Sequence, residues 1–369
     1  MRAIVVTRSV EMASPPERVW TLLADTERFN RLIGSHDVIY RPIEEGTTSS
    51  ARFLAETRAG GFKLVYEEFP FEWSHQRTFG VHRRMRGGPV ESYSWRCSLE
   101  RTTAGDGNGL EGGTRATVRM EITPRHPLLA PVAWINARLF TAKFAGLGAL
   151  IDAHVVEGAA SPYVKPVSPA DAAAIATTVA RLKADGVDAG VADRMGTLVL
   201  EGADADVVRI RPYALADAWR LDRRDVLRAF LKAVPAGLVE LRWGIICPSC
   251  LTASEQARGL DEIKPEGHCQ LCDITFDLDL DRAVEATFLP HPGLRRVPDA
   301  MFCIGGPGRT PHVLVQGTVQ AGETRDLDVP TEPGRYRVFA RGGAAATLDV
   351  DEAGEPRVAA RVEPKAVHP

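Results

Sequence analysis

The sequence predicts an α+β chain of several domains, and three observations predict it. Up to about residue 125 apolar and polar side chains alternate with the period of two of half-buried strands, and a long apolar helical segment follows. A Pro-rich break near residue 160 then leads into a helical middle. Pro crowds the C-terminal third, where short strand-like runs recur between Gly- and Pro-containing turns. A length of 369 residues fits two or three domains, and 44% hydrophobic with 25% charged residues excludes disorder as the main state.

The 45 Lys plus Arg and 48 Asp plus Glu leave a net charge of -3, so no global field draws the chain to nucleic acid or anionic lipid. The N-terminal MRAIVVTRSVEM lacks the apolar core and small-residue cleavage site of a secretory signal, and a cytoplasmic protein is expected. Leu128 to Val156 is the most apolar long stretch. Arg138, Lys143 and Asp152 interrupt it, so it predicts a packed amphipathic helix and no membrane span.

The first strand places Ile4, Val6, Val10 and Met12 on one parity and Thr7, Ser9 and Glu11 on the other, with Arg8 breaking the apolar side. Ser14-Pro15-Pro16 then reads as an N-cap with prolines in the first turn of a helix carrying Val19, Leu22 and Leu23. Tyr93, Trp95, Cys97 and Leu99 alternate with Ser94, Arg96 and Ser98, and Ala116, Val118, Met120 and Ile122 with Arg115, Thr117, Arg119 and Glu121. Turn clusters at residues 86–89 and 104–109 bound these strands. In the closing helix, Val132, Asn136, Phe140, Phe144, Leu147 and Ile151 form a stripe expected to pack on the sheet.

A strand, then Ala13-Ser14-Pro15-Pro16-Glu17-Arg18-Val19-Trp20-Thr21-Leu22-Leu23-Ala24-Asp25, then strands ending in a long helix, resembles the START-like helix-grip superfamily over residues 1–158. The resemblance implies a sheet wrapped around the final helix, with an apolar ligand cavity between them. Trp20, Phe53, Phe79, Tyr93, Trp95, Val118, Met120, Phe140 and Phe144 are candidate lining residues, core packing being the plainer reading of each. An inward Arg8 would pair with an acidic group of the ligand; an edge or ion-paired Arg8 is the alternative.

Residues 159–168 read as a linker and 169–240 as a helical, winged-helix-like segment. A helix is expected over Asp171 to Ala184. A helix pair follows Pro212, its second member burying Val226, Leu227, Phe230 and Leu231, and Leu238 to Trp243 alternates like a strand. Arg220, Arg223, Arg224 and Arg228 lie on that pair, diluted by Asp217, Asp222 and Asp225, so a solvated face competes with a nucleic-acid-binding one.

Cys247-Pro248-Ser249-Cys250 and Cys269-Gln270-Leu271-Cys272 are two C-x2-C knuckles at the spacing of a four-cysteine zinc site, predicting a zinc ribbon over 241–281. Four thiolates close the coordination shell, so the Zn would be structural and would supply folding free energy. Free thiols or disulfides are the alternatives, and His268 reads as a bystander. Cys97 and Cys303 lie outside the pattern and read as small core hydrophobes.

Over 282–350, Val313-Leu314-Val315-Gln316, Asp326-Leu327-Asp328-Val329 and Arg335-Tyr336-Arg337-Val338-Phe339 read as strands of a small β-sandwich, with 351–369 as a tail. Gly305 to Thr310 lacks the Gly-Lys-Ser/Thr ending of a phosphate loop and reads as a plain loop.

Arg211-Pro212-Tyr213-Ala214-Leu215-Ala216, Phe230-Leu231-Lys232-Ala233-Val234, the first knuckle, Phe302-Cys303-Ile304-Gly305-Gly306-Pro307 and Gly334-Arg335-Tyr336-Arg337-Val338 resemble the region before the catalytic domain in bacterial class III adenylate cyclases. A class III active site needs paired aspartates on a strand ahead of a Gly-Ser/Thr turn, which this sequence lacks. The resemblance therefore implies a non-catalytic regulatory region that senses an apolar or aromatic molecule for a cyclase domain in cis or in trans, with a homodimer left open. A nucleic-acid-binding regulator is the first alternative. The second is a polyketide cyclase or aromatase-like enzyme, for which His36, His82, His126, His154, Glu68 and Asp152 are the available titratable groups, with no constellation legible among them.

Overall fold

The computed structural model describes residues 2–43, 53–59, 62–102, 112–269, 271–272, 274–298, 300–320, 322–340, 345–351, 361–363 and 366–368. The chain divides into two compact units. The first comprises Met1–Pro162, Ala300–Gly334 and Val350–Gly354; the second comprises Tyr163–Asp299, Arg335–Asp349 and Glu355–Pro369.

The first unit is an antiparallel sheet gripping one long helix. Its elements are β1 (Ile4–Met12), α1 (Pro16–Leu23), α2 (Thr26–Leu32), β2 (Ile39–Pro42), β3 (Phe53–Ala59), β4 (Phe62–Glu68), β5 (Glu72–Ser74), β6 (Thr78–Met85), β7 (Val90–Arg101), β8 (Thr114–Pro124) and α3 (Ala130–Glu157). The main path of the sheet runs β1-β8-β7-β6-β4-β3-β2, with β5 branching from β6. The turn expected at residues 104–109 lies outside the described residues.

Helix α1 starts at Pro16, and its N-cap is Pro15 rather than Ser14. The backbone N–H groups of Ala13 and Ser14 instead donate to Asp152 on α3, both at 2.9 Å, which ties the end of β1 to the closing helix.

Helix α3 packs on β1 and β8. Phe144, Leu147 and Ile151 are buried as the stripe predicts, and Phe140 is half-buried; Val132, at 52% exposure, and Asn136 are not buried. Ala133, Ala137, Thr141 and Gly148 take the inner positions instead. Small residues bring the helix close to the sheet: a Cβ on Gly148 would lie 2.8 Å from Val10 Cγ1. The helical stretch 127–157 is also the one helix among the described residues long and apolar enough to cross a membrane by length and composition. Here its inner face and Asp152 are engaged with the sheet side of its own unit.

The small β-sandwich expected over 282–350 does not form among the described residues. Residues 300–334 return to the first unit, where β14 (Val315–Gln316) adds to β5 through Val315 opposite Ser74 and Gln316 opposite Trp73. The segment Asp326–Val329 forms no strand. A run so short buries little apolar surface alone and gains by completing an existing sheet edge.

The second unit opens with α4 (Ala172–Ala184), α5 (Ala189–Glu201), α6 (Asp204–Val207), α7 (Pro212–Trp219) and α8 (Arg223–Ala233). Asp171, Asp188 and Asp222 cap α4, α5 and α8 by accepting backbone N–H bonds. Their apolar faces enclose Leu182, Met195, Phe230 and Leu238. Strand β9 (Val239–Ile246) follows, flanked by β10 (Ala253–Ala257) and β13 (Val284–Pro290), the latter drawn from the segment expected to be sandwich. Between them lies the hairpin of β11 (Glu266–Cys269) and β12 (Ile274–Asp277); β15 (Gly334–Phe339) and β16 (Ala345–Val350) form another. In the C-terminal tail, Arg361–Glu363 and Ala366–His368 pair as two short strands.

This unit also holds a buried clamp. Arg295, 1% exposed, donates to the Val199 and Gly202 carbonyls and, at 2.7 Å, to Asp204, which accepts from Ser168 as well. Burial pushes Asp204 up, and the Ser168 and Arg295 bonds more than offset it, holding the carboxyl below its usual range. Ser168, in the predicted linker, is therefore part of the second unit.

Candidate functional site

Sheet register decides which side chains share the inner face of the first unit. Residues opposite one another on paired strands share a face, and residues two apart along a strand return to it. One row runs Phe53, Glu68, Arg83, Tyr93, Ile122; the next runs Tyr40, Ala55, Tyr66, Met85; a third runs Val81, Trp95, Met120. The inner face thus combines an aromatic half with a polar half.

The aromatic half joins Trp20, Phe29, Phe79, Trp95, Phe140 and Phe144. Phe79 meets Trp20 and Trp95 edge-on, each with ring centroids 5.6 Å apart, and Phe29 lies 5.4 Å from Phe144. Burying each such ring is worth on the order of 1.5–3 kcal/mol. Of the predicted lining residues, Trp20, Phe53, Phe79, Trp95, Val118, Met120 and Phe144 are buried, and Tyr93 and Phe140 are half-buried, all on this interior. Arg8 is not brought with them: on edge strand β1, opposite Val118, its side chain is exposed.

The polar half centres on Glu68, 2% exposed. Arg83 Nε donates to Glu68 Oε2 at 2.8 Å, and Arg83 Nη1 donates to the Tyr93 hydroxyl at 2.8 Å. The guanidinium also lies 5.0 Å from the Tyr66 ring centroid and 5.7 Å from that of Tyr93. Burial pushes Glu68 above its ordinary range against the pull of Arg83, and burial together with the Glu68 charge pushes the Tyr40 hydroxyl up. The Glu68 carboxyl also takes a side-chain hydrogen bond from Tyr40, whose hydroxyl is buried beside it.

Arg83, Tyr40 and Tyr66 are not identified by the sequence reading. A signal for Arg83 exists: it follows Phe79 and Val81 at the same parity and breaks their apolar run, as Arg8 does in β1. Of the other titratable candidates, His36 and His82 are exposed, and His126 accepts from the Leu128 N–H. His154 contacts the Ala159 carbonyl at 2.6 Å, and Asp152 holds the end of β1.

The returning segment 300–334 closes one side of this unit. Glu27 Oε2 accepts the N–H groups of Phe302 and Cys303, at 3.0 and 2.7 Å, while Arg31 donates to the Ala300 carbonyl and stacks on the Phe302 ring at 4.4 Å. Cys303 is fully buried, takes a 3.2 Å bond from the Thr26 hydroxyl, and has its thiol pushed up to about 12 by burial. Gly305 follows beneath the Phe71 ring, where a Cβ would come within 2.8 Å of Cδ2, which accounts for glycine in this loop. Cys97, on the inner face of β7, is likewise buried and its thiol pushed up by burial.

In the second unit the four knuckle cysteines converge. Cys247, Cys250, Cys269 and Cys272 are buried free thiols with all sulfurs within 4.8 Å of one another, and Cys250 and Cys269 are 3.7 Å apart. A tetrahedron with roughly 2.3 Å metal–sulfur bonds has edges of about 3.8 Å, so the spacing suits a single ion held by four thiolates. The neighbouring thiols hydrogen-bond to Cys250 and hold it far below the usual thiol range. Phe339 of β15 packs on the cluster, and Arg337 donates to the Pro248 carbonyl at 2.9 Å. His268 lies on β11 against Thr275, outside the cluster. On the α7–α8 pair, Arg223 binds Asp217 at 2.7 Å and Arg228 binds Asp225 at 3.0 Å, so acidic neighbours offset part of its positive charge.

Residues 3–152 match the family described as polyketide cyclase / dehydrase and lipid transport, and residues 173–301 match a family of unknown function (DUF5939). No curated protein matches the chain. Among solved structures it is similar to a START superfamily protein from Mycobacterium smegmatis, at 12% identity and TM-score 0.28, over 42% of this chain and 99% of that one. It is also similar to the Zhui aromatase/cyclase from Streptomyces, at 13% identity and TM-score 0.29, over 42% and 96%. A point mutant of norcoclaurine synthase from Thalictrum, in complex with a transition-state analogue, is 12% identical with TM-score 0.27, over 42% and 96%. The family match over residues 3–152 makes the N-terminal part of the chain a polyketide-cyclase/START-like domain.

Proposed function

We propose that the chain is a non-catalytic, cytoplasmic regulatory protein whose START-like domain binds an apolar or aromatic small molecule between the sheet and α3, and whose second unit is built on a structural zinc ion. The observation that carries the reading is the inner face itself. Aromatic rings cover one half of it, and a buried ion pair with tyrosines covers the other, the mixture that orients an apolar ligand by a few polar groups. The family match over residues 3–152 supports it.

Sensing requires an output, and the sequence resemblance points to a class III cyclase catalytic domain as the partner. The helices α4 to α8 followed by β9 would then form a winged-helix-like coupling segment, and β9 to β13 with the four cysteines a zinc ribbon beneath it. The test is to mix the full chain with a class III catalytic domain and follow cyclic AMP formation with and without naphthalene. A rate that changes with the chain and changes again with naphthalene supports regulation; a rate indifferent to both contradicts it.

A second reading, catalysis of the polyketide-cyclase kind, is favoured by one specific observation: Glu68, Tyr40 and Tyr66 place titratable groups on the inner face. Turnover of a linear aromatic polyketide that vanishes in Glu68→Gln would replace the non-catalytic reading.

A further inference from the structure

We infer that the outer face of α3 is a docking surface for an anionic lipid bilayer, on which the helix lies flat. Helix α3 is apolar on two opposite sides. Its inner side, through Ala133, Ala137, Phe144, Leu147 and Ile151, is buried on the sheet. On the other side Val132, Ile135, Leu139 and Leu150 recur at spacings that return to one helix face, and Leu128 begins the same line one turn earlier. All five are exposed, Leu128 at 82% and Leu139 at 57%. A solvated helix face is ordinarily polar or charged, and a contiguous apolar stripe marks a surface that another body covers.

Charge identifies that body. Between Glu121 and Asp152 the sequence holds no acidic residue, while Arg125, Arg138 and Lys143 are all exposed. A second copy of this chain seated two-fold on the stripe would set these cations against one another, with no carboxylate from the same stretch to answer them. The phosphates of an anionic bilayer answer them directly, and its acyl boundary takes the apolar line. Trp134, 45% exposed beside the stripe with the Arg138 guanidinium 4.7 Å from its ring centroid, joins an apolar body to a polar tip, as residues at a headgroup boundary do. The inner side stays on the sheet and Asp152 holds the end of β1, so the helix lies on the bilayer without crossing it. With a net charge of -3 over the chain, the attraction is local to this stretch.

Flotation of the full chain with phosphatidylcholine vesicles, made with and without phosphatidylglycerol, tests this. The chain should float with the mixed vesicles at low salt. Phosphatidylglycerol should tighten binding at least about tenfold, since each basic residue at an anionic surface is worth about fivefold, and high salt should reverse that gain. Leu128→Gln with Leu139→Gln removes the two most exposed side chains of the stripe and should weaken binding at least about tenfold. Arg138→Gln should weaken binding to the mixed vesicles about fivefold and leave binding to pure phosphatidylcholine unchanged. Its side chain is exposed, so it reads the charge independently if the leucine variant does not fold.

Equal flotation with the two kinds of vesicle overturns the anionic assignment, and flotation that survives the leucine variant overturns the assignment to this face. Failure to float with either kind overturns the proposal. A concentration-dependent dimer that Leu139→Gln dissolves would then identify a second copy of the chain as what covers the stripe.

Discussion

Arg83 Nε donates a 2.8 Å hydrogen bond to Glu68 Oε2 from the neighbouring strand, on the face of the sheet that looks at α3. Two opposite charges thereby lie inside a START-like domain. Replacing Arg83 by Met should destabilise the first unit by about 3–5 kcal/mol, because it strands the Glu68 charge in a low-dielectric interior. Replacing both Arg83 and Glu68 by Met should recover most of that loss. Urea denaturation of the single and double variants checks both statements, and a double variant as unstable as the single one would contradict the charge argument.

Glu27 fastens the returning segment by accepting two backbone N–H groups with one oxygen. Glu27→Ala should therefore speed amide hydrogen exchange at Phe302 and Cys303 by at least tenfold and destabilise the unit by about 1–3 kcal/mol, the scale of buried donors left unsatisfied. Unchanged exchange at those two amides would show that Arg31 and β14 suffice to hold the segment.

The Asp204 clamp makes acid stability of the second unit predictable in sign. Its folded-state pKa lies below the unfolded value, so the folded state binds fewer protons. The stability it contributes is present above the ordinary aspartate range near about 3.9, and it is lost as pH falls through the lower folded value. The Tm gap between the unsubstituted chain and Asp204→Asn should be largest near neutral pH and shrink below about pH 4. A gap that widens on acidification would reverse the assignment.

The purified chain should carry about one zinc ion per molecule by elemental analysis, and Cys250→Ser with Cys272→Ser should abolish it and unfold the β9 to β12 region. Full retention of metal in that double variant would contradict four-thiolate binding.

What the sequence makes legible depends on how local the signal is. The two knuckles are local, and the cysteines they name converge. Period-two alternation in β7 and β8 is local, and those strands form with the expected inner residues. Register is not local. Glu68 and Arg83 are fifteen residues apart, and only the pairing of β4 with β6 makes them neighbours; the Glu67-Glu68 pair reads in sequence as a polar strand end. The same limit explains the segment 300–334: Val313–Gln316 yields only the two-residue β14, and nothing within that run names the sheet edge it joins, while Asp326–Val329 forms no strand. The α3 stripe breaks at Val132 and Asn136 because the inner positions there belong to Ala133 and Ala137, small residues that bring the helix close to the sheet and carry a weak hydrophobic signal.

The central claim is that the START-like domain holds an apolar or aromatic small molecule. Native mass spectrometry of the full chain, purified from a bacterial host without detergent, tests it most directly. Ions heavier than the chain, with or without a bound metal, by the mass of a small organic molecule are expected, and extraction with organic solvent should remove and identify that molecule. A spectrum showing only the chain and any bound metal, unchanged after incubation with 2-naphthol, would contradict that claim.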